Sequence, residues 1–142
     1  LRRIINFDYM WNLLKIFHKK NDHLAGNRFP LVVVGQIIEI KKHPEADKLT
    51  IVKVDIGDKQ LDIVCGANNI EVGQFVPVAL EGAHLPSGVV ISSKEIRGQI
   101  SKGMLCSAQE LGLGEDHDGI MILDKSIVKQ PGQSLDSYLN NK

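Results

Sequence analysis

Three spacings in this chain invite a chemical reading. Gly98 and Gly103 stand as far apart as the glycines that frame a phosphate loop, Asp116-His117-Asp118 sets two carboxylates around an imidazole, and Cys106 could pair as nucleophile with His43 or His117. Each fails on a physical requirement. A phosphate loop needs a lysine after its second glycine to neutralise the β- and γ-phosphates, and Met104 stands there. Consecutive side chains of an extended segment point to opposite faces, so the Asp-His-Asp run cannot converge on one ion, and no Cys-x-x-Cys or His-x-x-x-His spacing accompanies it. A cysteine–histidine pair needs a third group to orient the base, and the sequence nominates none. The expectation is a chain with no catalytic residue and no metal site.

What the sequence does carry is cations and amides on segments rich in turn residues. His43-Pro44-Glu45-Ala46-Asp47-Lys48-Leu49 reads as a loop in which Pro44 opens a helical turn, with Lys41 and Lys42 just before it and Lys48 near its end. Its plainer reading is a structural turn in which Asp47 caps backbone amides. Asn68 and Asn69 either accept a left-handed turn conformation or offer hydrogen bonds to a base or ribose. Arg97-Gly98 and Ser101-Lys102-Gly103-Met104 form a second basic, hairpin-like region in which glycine permits close backbone approach.

These loops need elements to hold them. Met10, Leu13, Leu14 and Phe17 recur at helical spacing within Ile4–Lys20, which predicts an amphipathic helical arm whose apolar face packs against protein. Residues 21–30 turn polar, with Gly26, Asn27 and Pro30 as breakers, so residues 1–30 read as arm and linker. Residues 31–124 read as short strands: Leu31–Ile40 with a bulge or bend at Gly35, Leu49–Ile56, Gln60–Val64 after a Gly57-Asp58 turn, Phe75–Leu80, Val89–Ile91 and Gly119–Leu123. Ser107 and Glu110 have capping-box spacing, which predicts a short helix from Ser107 to Gly112. Residues 125–142 are left as a C-terminal extension. Strands at regular intervals with only brief helices predict a mainly β barrel or sandwich.

Composition sets outer bounds. Hydrophobic residues make up 43% and charged residues 24% of 142 residues, a globular balance of about one domain. Apolar runs such as Leu31–Val34 are far too short for a membrane span. Only two cysteines, Cys65 and Cys106, argue for a reducing cytoplasm over a secreted disulfide scaffold, with both as small buried hydrophobes. The chain opens on Leu1, as a piece of a longer chain would. Net charge is zero, yet residues 31–123 carry eight basic against thirteen acidic side chains. Such a middle opposes tight nonspecific phosphate binding, which depends on counterion release by lysine and arginine.

Four segments taken in order resemble one family. His43-Pro44-x-Ala46-Asp47-Lys48-Leu49, Ile63-Val64-Cys65-Gly66-Ala67-x-Asn69, Arg97-Gly98-x-x-Ser101-x-Gly103-Met104-x-Cys106-Ser107 and Asp116-His117-Asp118-Gly119-Ile120 are similar to the tRNA-binding oligonucleotide-binding (OB) domain of bacterial phenylalanyl-tRNA synthetase β subunits. The resemblance covers about residues 31–124 and extends to the wider set of tRNA-binding modules. It implies a five-stranded OB barrel that takes up tRNA by shape and backbone, with no catalysis of its own. By position it implies phosphate contacts from Lys48, Arg97 and Lys102, with Lys53 beside the binding face. Hydrogen bonds would come from Asn68 and Ser101, and Met104 would give an apolar contact or core packing. It implies tRNA as partner, a synthetase α subunit in a full-length protein, and ATP and magnesium only in that larger enzyme. No cofactor is expected for this chain. Self-association through the arm, a protein-interaction or scaffolding role, and a free-standing tRNA-binding protein are the competing expectations.

Overall fold

The computed structural model describes residues 27–142, so the helical arm expected over Ile4–Lys20 lies outside the described residues. In chain order the elements are β1 (Val32–Lys42), β2 (Thr50–Asp55), β3 (Gln60–Cys65), β4 (Phe75–Leu80), β5 (Lys94–Ile96), β6 (Gln99–Ser101), β7 (Gly103–Leu105) and one short helix, α1 (Leu135–Asn140). Five strands form an antiparallel sheet in the order β3-β2-β1-β4-β7. Its two outer strands, β3 and β7, pack against each other. The Lys102 N–H donates to the Asp62 carbonyl at 3.1 Å across that seam, so the sheet curls into a nearly closed barrel. The mainly β expectation holds. β5 and β6 form a separate hairpin lying along β3.

Alternation explains which way each strand faces. Val52 and Val54 of β2 are fully buried while Ile51, Lys53 and Asp55, which alternate with them, are only partly covered, the period-two pattern of a strand with one face on the core. Leu61, Ile63 and Cys65 do the same on β3. They meet Ile37, Val76, Val78 and Leu105 in the barrel interior.

Gly35 serves differently from the bulge expected of it. The irregularity in β1 falls between Ile37 and Glu39, whereas Gly35 stays in register opposite Val76. A Cβ at Gly35 would stand 2.4 Å from Val54 Cγ1 and 2.6 Å from Val78 Cγ2, so the missing side chain makes room for two core valines.

Three other expectations differ from the structure. Val89–Ile91 makes only the single bridge His84–Val90, and Gly119–Leu123 only the bridge Leu123–Phe75, so neither is a barrel strand. Both read as strands because they are apolar, but their backbone bonds are scattered: Ile91 N–H donates to the Ala83 carbonyl at 2.9 Å, Met121 N–H to the Cys106 carbonyl at 3.0 Å and Leu123 N–H to the Phe75 carbonyl at 2.8 Å. At Ser107 the capping box forms as the sequence predicts: Ser107 N–H donates to Glu110 Oε1 at 2.8 Å and Glu110 N–H to Ser107 Oγ at 3.2 Å. It closes turns instead of a helix, since Gly112, at φ 68, ends the run after one coil.

A second apolar cluster underlies β1 and β4. Phe29, Leu135 and Tyr138 join Val32, Val34, Leu111 and Leu123 there, so the core runs past both Pro30 and Asp124. Ser134 caps α1 by accepting from Ser137 N–H at 3.0 Å. Tyr138 Oη accepts from Asp124 N–H at 2.9 Å, and the Asp136 carboxylate accepts from Arg28 N–H at 2.9 Å and Phe29 N–H at 3.0 Å. No helix among the described residues is long and apolar enough to cross a membrane.

Candidate nucleic-acid interface

Two short elements at one end of the barrel carry exposed cations. The first is the 43–49 loop, which follows Lys41 and Lys42 at the end of β1 and presents Lys48 to solvent. Its shape comes from its own backbone: His43 N–H donates to the Leu49 carbonyl at 3.1 Å, and Leu49 N–H to the Ala46 carbonyl at 3.3 Å. The expected Asp47 cap is not among the hydrogen bonds that hold this loop. The second element is the β5–β6 hairpin, paired Lys94–Ser101, Glu95–Ile100 and Ile96–Gln99. Its two-residue turn is Arg97-Gly98, with φ of 51° and 86°. Positive φ at both positions is the turn geometry that matches strand twist, and asparagine or glycine usually fills it. An arginine in the left-handed region costs about 1–2 kcal/mol. Here that cost places a guanidinium at the hairpin tip.

Contacts between the two elements hold the tip against the loop. His43 is 2% exposed; its Nε2 lies 2.9 Å from the Ile96 carbonyl, and its Nδ1 accepts from Glu45 N–H at 2.9 Å. Arg97 Nη1 reaches the Glu45 carbonyl at 3.5 Å. Lys48 and Arg97 are thereby carried on joined elements.

The other expected residues divide. Lys53 faces outward on β2, but its cross-strand neighbours are Glu39 on β1 and Asp62 on β3, and its Nζ lies 4.0 Å from Glu39 Oε1. Its charge is matched locally, so it offers little net field to a phosphate. Lys102 is exposed at the β6–β7 junction beside Asp62. Asn68 is exposed; its neighbour Asn69 is the structural one, donating through Nδ2 to the Ile120 carbonyl at 2.8 Å and accepting at Oδ1 from Ile120 N–H at 3.0 Å. A Cβ at Gly119 would stand 2.7 Å from the Asn69 side chain, which accounts for glycine there.

One expectation is corrected. Ser101 is 4% exposed, and its hydroxyl accepts from Val64 N–H at 3.0 Å and donates to the Gly103 carbonyl at 3.0 Å. It bonds the barrel's own backbone, its one hydrogen is committed, and its burial keeps it from a ligand. Met104, expected either as an apolar contact or as core packing, is half-buried and packs on the Phe29–Tyr138 cluster. The sequence reading passed over Lys94, exposed on β5 at the rim of a depression lined by Val64, Val89, Ile96 and Met104. Its strand is too short to signal itself by alternation.

Nothing here is arranged for covalent or metal chemistry. Burial pushes the Cys106 thiol up to about 12, and burial also raises Cys65, so both stay protonated and unreactive. Among the described residues no three histidine, cysteine or acidic side chains gather as a metal site. His117, Asp116 and Asp118 are exposed; His117 Nε2 lies 3.6 Å from Asp118 Oδ1, and Asp118 N–H donates to Asp116 Oδ1 at 3.0 Å.

The geometry defines a small five-stranded antiparallel barrel whose loops, not its interior, carry the groups available to a ligand. The chain belongs to the tRNA-binding domain family: the family model described as "Putative tRNA binding domain" matches residues 32–132. It is a non-catalytic domain of that family. Phenylalanine–tRNA ligase beta subunits are similar to it, at 58% identity over 96 residues in Nitratidesulfovibrio vulgaris and 52% over 103 residues in Syntrophus aciditrophicus. Those matches cover 67% and 72% of this chain and only 12% and 13% of the relatives. The C-terminal domain of Plasmodium vivax p43 superposes with a TM-score of 0.53 at 27% identity, covering 74% of this chain and 58% of that one. A MetRS-related protein from Pyrococcus horikoshii shares the fold, with a TM-score of 0.54 at 22% identity over 75% of this chain and 88% of that one.

Proposed function

We propose that this chain is an accessory tRNA-binding domain of the OB type, belonging to a cytoplasmic phenylalanine–tRNA ligase beta subunit, and that it grips the tRNA backbone. The strand connectivity supports the OB type, because β1 pairs with both β2 and β4 while β3 and β7 close the barrel. The observation that carries the binding reading is the docking of the Arg97 turn on the Lys48 loop, which turns two separate cationic segments into one surface. Lys41 and Lys42, exposed at the end of β1, lead into that loop, and Lys102 is exposed at the base of the hairpin. Glu45, Asp47 and Glu95 lie on the same elements, so the net field is modest and affinity is low for the isolated domain. Within a synthetase the other domains raise the effective concentration of bound tRNA, and weak contacts suffice. ATP, magnesium and any α-subunit contact belong to that larger enzyme.

A protein-interaction role is the second reading, favoured by the exposed Val89, Val90 and Ile100 around the β5–β6 hairpin. Filter binding of tRNA at low and moderate salt separates the two. Replacing Lys48, Arg97 and Lys102 together by glutamine should abolish binding with an unchanged melting temperature. Undiminished binding by that variant, or none by the parent chain at low salt, would remove the RNA reading.

A further inference from the structure

We infer that His43, a residue that contacts no ligand, is the positioning residue of the interface: a neutral pin that fixes the distance between the Arg97 turn and the Lys48 loop. The inference rests on the tRNA-binding reading above and names the device that sets its phosphate spacing.

The ring's partners dictate its protonation. Glu45 N–H points at Nδ1, so that nitrogen must present a lone pair. The Ile96 carbonyl faces Nε2 and can only accept, so Nε2 carries the hydrogen. With the side chain 2% exposed, no water competes for either bond. One neutral tautomer thus satisfies one group in each of the two cationic elements.

The hairpin needs this bond. β5 and β6 are three residues each, and a two-stranded ribbon of that length is marginal by itself. At its base the hairpin is anchored through β6, by Ser101 Oγ to Val64 N–H and by Lys102 N–H to Asp62. At its tip the contacts to the barrel are the His43–Ile96 bond and the longer Arg97–Glu45 bond. Ile96 immediately precedes the turn, so His43 grips the hairpin at the residue that aims Arg97. Without it the tip pivots about its base and Arg97 leaves the surface shared with Lys48.

Two substitutions separate the two ring bonds in the full 142-residue chain. In His43→Asn the shorter amide can still accept from Glu45 N–H but cannot reach Ile96. In His43→Gln the longer amide can donate to Ile96 and gives up the Glu45 contact. The expected result is that His43→Asn speeds amide hydrogen exchange over residues 95–100 and His43→Gln does so much less. With tRNA, His43→Asn should lower the slope of log affinity against log salt by about 0.7–0.9, the share of one phosphate contact, or roughly sixfold in affinity at 0.1 M salt. His43→Gln should retain most of the parent slope. A role confined to loop folding predicts the reverse order, with asparagine the better replacement, and that result overturns the inference. So does wild-type exchange over 95–100 in His43→Asn. Should both variants unfold, nitrogen-resolved spectra of the parent His43 decide the matter, because a hydrogen on Nδ1 is incompatible with the pin. If the parent chain binds no tRNA, the binding role falls, while exchange and tautomer still report on the pin itself.

Discussion

Ser101 provides a sharp separation of fold from site, because sequence position assigns it to the ligand and the structure assigns it to the backbone. In Ser101→Ala the hydroxyl between Val64 N–H and the Gly103 carbonyl is lost. Val64 is half-buried, so water reaches its amide incompletely. An unsatisfied buried donor costs about 1–3 kcal/mol, and partial access puts this site at the lower end, about 1–2 kcal/mol. With an unfolding entropy of about 2.1 cal/mol/K per residue over roughly 116 described residues, each kcal/mol shifts the midpoint by about 4 °C. The melting temperature should therefore fall by about 4–8 °C, read by calorimetry or circular dichroism. tRNA affinity and its salt slope, measured at least 15 °C below the new midpoint, should match the parent chain. An unchanged midpoint together with weakened binding would mean that the hydroxyl faces RNA, and the assignment of Ser101 to the barrel seam would be wrong.

Gly35→Ala should destabilise by about 1–3 kcal/mol through overpacking against Val54 and Val78, visible as a lower urea midpoint. Lys53→Gln should leave the tRNA salt slope unchanged, because Glu39 and Asp62 already match that charge, whereas Arg97→Gln should lower it by about 0.7–0.9. The Cys106 thiol has its folded value raised from 9.0 to about 12, so the folded state holds its proton more tightly than the unfolded chain does. That contribution is complete below pH 9 and is lost as pH rises from 9 towards 12, so melting temperature should decline over that window, and less so in Cys106→Ala. Hydrogen bonds from the Ser126 side chain and backbone hold the Asp124 carboxyl below its ordinary value; in Ser126→Ala its titration, followed by carbon NMR, should move upward.

The strands that build the barrel were legible where the strand itself ran for six residues or more. β2 and β3 could be read from Ile51–Val54 and Leu61–Cys65, since a period of two survives in a strand with one wet face. β5, β6 and β7 are three residues each, too short for any period to register, so the barrel's closing strand was missed and apolar Val89–Ile91 stood in its place. α1 escaped because its two buried side chains, Leu135 and Tyr138, lie in a polar tail whose partners are a hundred residues away in sequence. At the interface, motif position gave Lys48 and Arg97 and also gave Ser101, since a sequence does not say which side of a strand a hydroxyl faces. His43 looked like a possible base; only its burial between Ile96 and Glu45 exposes a mechanical part.

The Asp136 carboxylate binds the amides of Arg28 and Phe29, so the first described residues and the C-terminal helix lie side by side. A module built that way can be spliced into a surface loop of a larger host, because the gap it must bridge is already short. Removing the clasp by Asp136→Ala would loosen that doorway. Such a unit can be grafted onto a host, or excised from it, without redesigning either core.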